Sequence, residues 1–314
     1  MASLFPFTTD EAETVLRALK TVAMADGTFA VKEQALLAAA AEVLGVRADP
    51  DEVRTIAPEE LAAAVPDPDR RLVALKACLV MGMVDGQVSP EEWKVLSAFR
   101  GAFAVDEAEM QVFHGLVQQH RQRTQYELQR RLGSPQARTL YADQGWQGVL
   151  SFFTEDLQSL PKARENADLA WRYRKIGLLP EGTLGRELWR YYRERQFAFA
   201  GELGGVPEAL VHHDITRVIA GYDTDLDGEL ETIAYVAGLR GEEPSSALFL
   251  VLLQHAVGNK GGAGAHLVVP VEKILAARER GKATREDFTR KRDFWDVMER
   301  PVDELRARYG VPPP

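Results

Sequence analysis

The chain is poor in the features that usually announce a chemistry. Its one cysteine among 314 residues, Cys78, leaves no internal disulfide framework. Within the apolar run "ALKACLVMGM" that thiol reads as core rather than nucleophile. Long apolar runs are missing as well. Even "ALFLVLL" from Ala247 to Leu253, which no other run exceeds, is far shorter than the roughly 20 residues a bilayer helix needs. The start, "MASLFPFTTDEAETV", lacks the basic region and apolar stretch of a signal peptide, so a cytoplasmic protein is expected. Positive charge is scarce: 38 Lys and Arg against 47 Asp and Glu give a net charge of −9. That balance excludes broad nucleic-acid binding, which depends on neutralising phosphates. No G-x-S-x-G, H-E-x-x-H, P-loop or dinucleotide fingerprint is present, and "GNKGGAG" lacks phosphate-loop spacing.

What is present is helical periodicity. Alternating strand patterns are scarce, so the chain reads as all-α. Thr9 or Asp10 is placed to cap a first helix, in which Val15, Leu19 and Val22 share a face. A second helix is expected from Val31 to Leu44, ending near Gly45, and a short one at "PEELAAAV". The pattern then repeats: Met24-Ala-Asp26-Gly27-x5-Glu33 matches Met83-Val-Asp85-Gly86-x5-Glu92 at an offset of 59. Such self-similarity predicts a pseudo-duplicated helical bundle over 1–115. A polar helical linker, 116–145, leads to a larger helical domain over 146–314.

The doubled M-x-D-G-x5-E pattern resembles the TerB family, named from bacterial tellurite resistance, over about residues 8–115. Asp26, Glu33, Asp85 and Glu92 are the acidic positions this resemblance carries over, and it implies a metal- or stress-response role. The spacing also has a plainer reading, which the residues favour: each Asp-Gly closes one helix and each glutamate falls at the start of the next. An EF-hand is not supported, because its upstream ligand positions would be Val22 and Met24, or Met81 and Met83.

The second domain carries "HHDITRVIAGYDTDLDGELE" from His212 to Glu231. Its aspartates open like a calcium loop, but the twelfth position, where a bidentate glutamate belongs, is Ala234. Capping of a helix beginning near Gly228 accounts for them better. In the first half, His213 and Arg217 share a helical face, Asp214 lies beside them, and Glu229 approaches from the next helix. A His, an Asp and a Glu so placed suit a divalent ion.

Here the chain resembles the helical Coq-four family of coenzyme Q (ubiquinone) biosynthesis proteins, whose motif is H-D-x-x-H-x11-E. It reads here as His213-Asp214-x2-Arg217-x11-Glu229. Leu179-Pro-Glu-Gly-Thr183-Leu-Gly185 is similar to the family's L-P-x-G-T-x-G segment, and Trp295 with "ERPVDELRARYG" to its closing segment. The resemblance, over roughly 150–314, implies a metal-dependent enzyme with His213, Asp214 and Glu229 at its centre. It also implies an isoprenoid quinone or related lipid as ligand, protein partners in a biosynthetic complex, and peripheral contact with the inner face of a membrane. One departure matters: Arg217 stands where the second histidine ligand belongs, and a guanidinium cannot ligate a metal. Either His213, Asp214 and Glu229 hold zinc or a similar ion without it, or Arg217 takes the cation's place and no metal is bound. The second alternative is favoured. Two functions remain open: a quinone-associated enzyme using His213, Asp214, Arg217 and Glu229, and a non-catalytic scaffold in which the TerB-like domain supplies the interactions.

Overall fold

A computed structural model describes residues 7–84, 88–112, 114–115, 130, 165–223, 225–241, 271–290 and 294–313. Regular structure among them is helical, with one isolated bridge between Thr183 and Pro301, so the fold is all-α. The helices between Thr9 and Phe103 belong to one compact unit; Arg130 and the helices between Ala167 and Tyr309 belong to another. The expected linker, 116–145, lies outside the described residues except for Arg130.

The first unit repeats itself in detail. α1 (Thr9–Ala23) and α2 (Val31–Leu44) recur as α4 (Pro68–Gly82) and α5 (Pro90–Phe103), each boundary displaced by 59 residues, with α3 (Pro58–Ala64) between the copies. The caps recur too. Thr8, rather than the expected Thr9 or Asp10, caps α1, and Asp67 caps α4. Each opens its helix because a side-chain oxygen satisfies a backbone N–H that has no partner within the helix. After α2 and α5 the chain turns through left-handed residues, Gly45 and Ala104. There the N–H of Val46 or Val105 bonds back to Ala41 or Arg100. The equivalent third residues of α1 and α4 meet across the pseudo-symmetric pair, Arg70 donating to Glu11 at 2.7 Å. Burial raises the Glu11 pKa, but the Thr8 backbone bond and Arg70 outweigh it and hold the carboxyl below its ordinary value.

The second unit comprises α6 (Ala167–Lys175), α7 (Leu184–Glu194), α8 (Glu208–Ala220), α9 (Leu226–Arg240), α10 (Val271–Ala283) and α11 (Val302–Tyr309). Its two outer motif segments meet each other. Leu184 and Gly185 donate backbone bonds to Arg300 and Met298, both 2.8 Å, and Val302 donates to Gly182, 2.8 Å. A Cβ at Gly185 would sit 2.7 Å from the Leu179 side-chain tip and 3.1 Å from the Met298 carbonyl, so glycine lets the two segments approach closely. The joined segments place α7 and α11 against α8, the helix carrying His213, Asp214 and Arg217.

A candidate site built around two arginines

α8 ends at Gly221, whose φ of 80° supplies a left-handed cap. Its last carbonyls are covered by cations: Arg306 donates to Ile219 at 2.8 Å and Arg280 to Ala220 at 2.7 Å. The closing sequence segment therefore serves to hold the end of α8 through Arg306. The aspartates that look like a calcium loop go separate ways. Asp225 caps α9 by accepting from the Gly228 N–H at 2.7 Å, Asp227 pairs with Lys273, and Asp223 pairs with Arg195.

The four motif residues are all buried, and two of them, Asp214 and Arg217, are fully so. His213 and Arg217 do share a face: the His213 Nε2 lies 3.2 Å from a terminal nitrogen of Arg217 and 3.2 Å from Glu229 Oε1. Arg217 forms an ion pair with the other Glu229 oxygen, donates to the Tyr191 hydroxyl at 2.7 Å, and reaches Thr232 at 3.4 Å. His212, one residue off this face, meets the edge of Phe294 instead.

Asp214 faces a different partner. Arg130 grips both its oxygens, at 2.7 and 3.2 Å, while Tyr192 donates to it at 2.6 Å and Tyr191 at 3.3 Å. Arg217 therefore does not pair directly with both carboxylates. The Tyr191 hydroxyl joins the halves, accepting from Arg217 and donating to Asp214. Among the described residues the result is one network with two guanidinium cations and two carboxylate anions. Among the described residues, no three His, Cys, Asp or Glu side chains converge as a metal-ligand group. A cleft of about 300 Å³ between α7 and α8 reaches this network at Tyr191 and Arg217.

Burial alone would raise the Asp214 pKa, but the Arg130 charge and its hydrogen bonds dominate and bring it down to about 2. Tyr192 moves up, first through burial and then through the Asp214 charge, so it stays a donor. A carboxylate whose folded pKa is depressed contributes stability above its unfolded pKa and loses it as pH falls through the folded value. Chemical denaturation should accordingly show a stability loss of about 2 kcal/mol as pH drops from about 5 to below 2. In Asp214→Asn this part of the acid limb should be missing.

Arg130, Tyr191 and Tyr192 were not legible as site residues. Arg130 lies 84 positions before Asp214, in a stretch that reads as a polar linker. The one usable signal was the Tyr191-Tyr192 pair, since a buried tyrosine hydroxyl needs a polar partner.

In the first unit the acidic positions are occupied locally. Glu33 accepts from its own helix start, the Ala30 N–H, at 2.6 Å, and Glu92 accepts from the Ser89 N–H at 2.7 Å. Glu92 and Ser89 form a reciprocal capping box. Asp26 accepts from the Thr28 N–H and hydroxyl in an exposed turn, and these bonds lower its pKa. Asp85 lies outside the described residues.

Residues 3–56 match the family model of the tellurite resistance protein TerB. The match spans the first copy of the repeat and stops before the second. Among solved structures, a Nostoc punctiforme protein provisionally assigned to ubiquinone biosynthesis is similar over 78% of this chain and 98% of its own. The identity is 21% and the TM-score 0.34. No curated protein matches the chain.

Proposed function

We propose that the second unit is a non-catalytic binding domain of the ubiquinone-biosynthesis type, taking a polyprenyl quinone or related lipid, in which arginine has replaced the metal. The TerB segment is then an interaction module attached to it. The observation that carries this reading is the ion pair between Arg217 and Glu229, formed where the related motif would place a metal between histidine and glutamate. Among the described residues, Arg130 and Arg217 balance Asp214 and Glu229 charge for charge in a buried network. Neither arginine can release its proton, so a divalent cation added there would be uncompensated. The donor set thus does not fit a resident metal. Glu229, which lies beside His213, is held by Arg217.

Native mass spectrometry of the freshly purified full chain tests both halves of the proposal. The expected spectrum contains a polyprenyl quinone or related isoprenoid adduct and no stoichiometric metal. One zinc per chain that disappears in His213→Ala would overturn the metal-free reading. Failure to retain or take up an added polyprenyl quinone would overturn the ligand.

A further inference from the structure

The cleft between α7 and α8 already holds a cation of its own. Arg195, the residue that follows α7, places its guanidinium carbon 4.6 Å from the centre of the Tyr191 ring, within cation–π range. Its nitrogens reach the Tyr191 carbonyl at 3.4 Å, Glu194 at 3.3 Å and Asp223 at 3.4 Å. An aromatic face, a carbonyl and two carboxylates thus surround one planar cation, a set that suits a guanidinium. Each of these bonds is long beside the ~2.9 Å of a good N–H···O contact. The group is therefore matched in chemistry but loosely fastened. Glu194 and Asp223 are 59% and 74% exposed, which lets either carboxylate turn to a second cation.

The other charges lining the cleft do not reverse this preference. Arg190 pairs with Glu187 and lies 3.8 Å from Glu194, while Arg217 pairs with Glu229, which is not part of the lining. Among the described residues, two carboxylates then gather around the one guanidinium of Arg195, so a second anion is disfavoured there. A volume of about 300 Å³ suits a small molecule.

We propose that this cleft receives a small organic cation bearing a guanidinium group, which displaces the Arg195 side chain from Tyr191 and takes over its carboxylate partners. Arg195 is an internal competitor that fills the place until a better-anchored ligand arrives. A ligand stacked on the Tyr191 ring lies against the buried network, because the hydroxyl of that ring accepts from Arg217 and donates to Asp214. Glu194 and Asp223 are not members of the network, so this site does not depend on a bound quinone or on the absence of a metal.

The test is isothermal titration calorimetry of the full-length protein with agmatine, an alkylguanidinium, and with succinate, a dicarboxylate. Agmatine is expected to bind saturably at one site, and succinate not to bind. Arg195→Ala should tighten agmatine binding by about five-fold, since the place no longer has to be vacated first. Glu194→Gln combined with Asp223→Asn should weaken it by about ten-fold. Both carboxylates are exposed, so the far-ultraviolet circular dichroism spectrum of that variant should match the native one. Three results would overturn the proposal. These are no saturable agmatine binding, binding that Arg195→Ala fails to tighten or the double variant fails to weaken, and binding of succinate in place of agmatine.

Discussion

Arg217→Met is expected to lose about 3–5 kcal/mol of stability at neutral pH, the cost of breaking a buried ion pair from one side. Methionine keeps most of the side-chain volume, so the loss reports charge rather than a cavity. The Glu229 carboxylate, buried beside His213, loses its Arg217 cation, and the Tyr191 hydroxyl loses the Arg217 donor. The penalty should shrink as pH falls, because a proton taken up by Glu229 or His213 cancels the stranded charge. Arg217→Lys separates charge from shape. It keeps the cation but cannot reach Glu229, Tyr191 and Thr232 together through one planar fork, so an intermediate loss is expected. Denaturant midpoints across pH for the three proteins check this. A near-neutral Arg217→Met would mean that the network contributes little.

Arg130→Met should be nearly as damaging, by about 3 kcal/mol or more, although no motif draws attention to this residue. Asp214 is fully buried and would keep only the hydroxyls of Tyr191 and Tyr192. Its pKa would rise, so stability would increase on acidification where the native protein loses it. The decisive comparison is the double variant Arg130→Met with Asp214→Asn. Asparagine can still accept from Tyr192 and carries no charge to strand. Most of the lost stability should return, giving a coupling energy well above the few tenths expected for independent sites. Arg130 also lies 4.0 Å from the Phe197 ring, and the methionine stem retains part of that contact.

These two arginines mark the division between what was legible in the sequence and what was not. Helix boundaries followed from local chemistry. α2 follows the left-handed turn at Gly27 and stops before Gly45, and α5 starts at the Ser89-Pro90 pair, because caps and left-handed turns act over a few residues. The calcium-like aspartates resolved into a helix cap and two ion pairs for the same reason. The pairing of Arg217 with Glu229 could be anticipated from their spacing across one helical turn and one tight connection. The grip of Arg130 on Asp214 could not, since nothing local ties a residue to a partner 84 positions away. The side-chain directions on α8 were likewise hidden: adjacent residues diverge by about 100°, so His213 and Asp214 serve different arginines.

Whether Arg217 takes the position of a metal is read out by zinc titration calorimetry on the native chain and on Arg217→His, which restores the H-D-x-x-H-x11-E motif. The native protein should give no saturable binding at the motif, and Arg217→His should gain a single site that His213→Ala removes. Tight one-to-one zinc binding by the native chain, abolished in His213→Ala, would contradict this placement of Arg217.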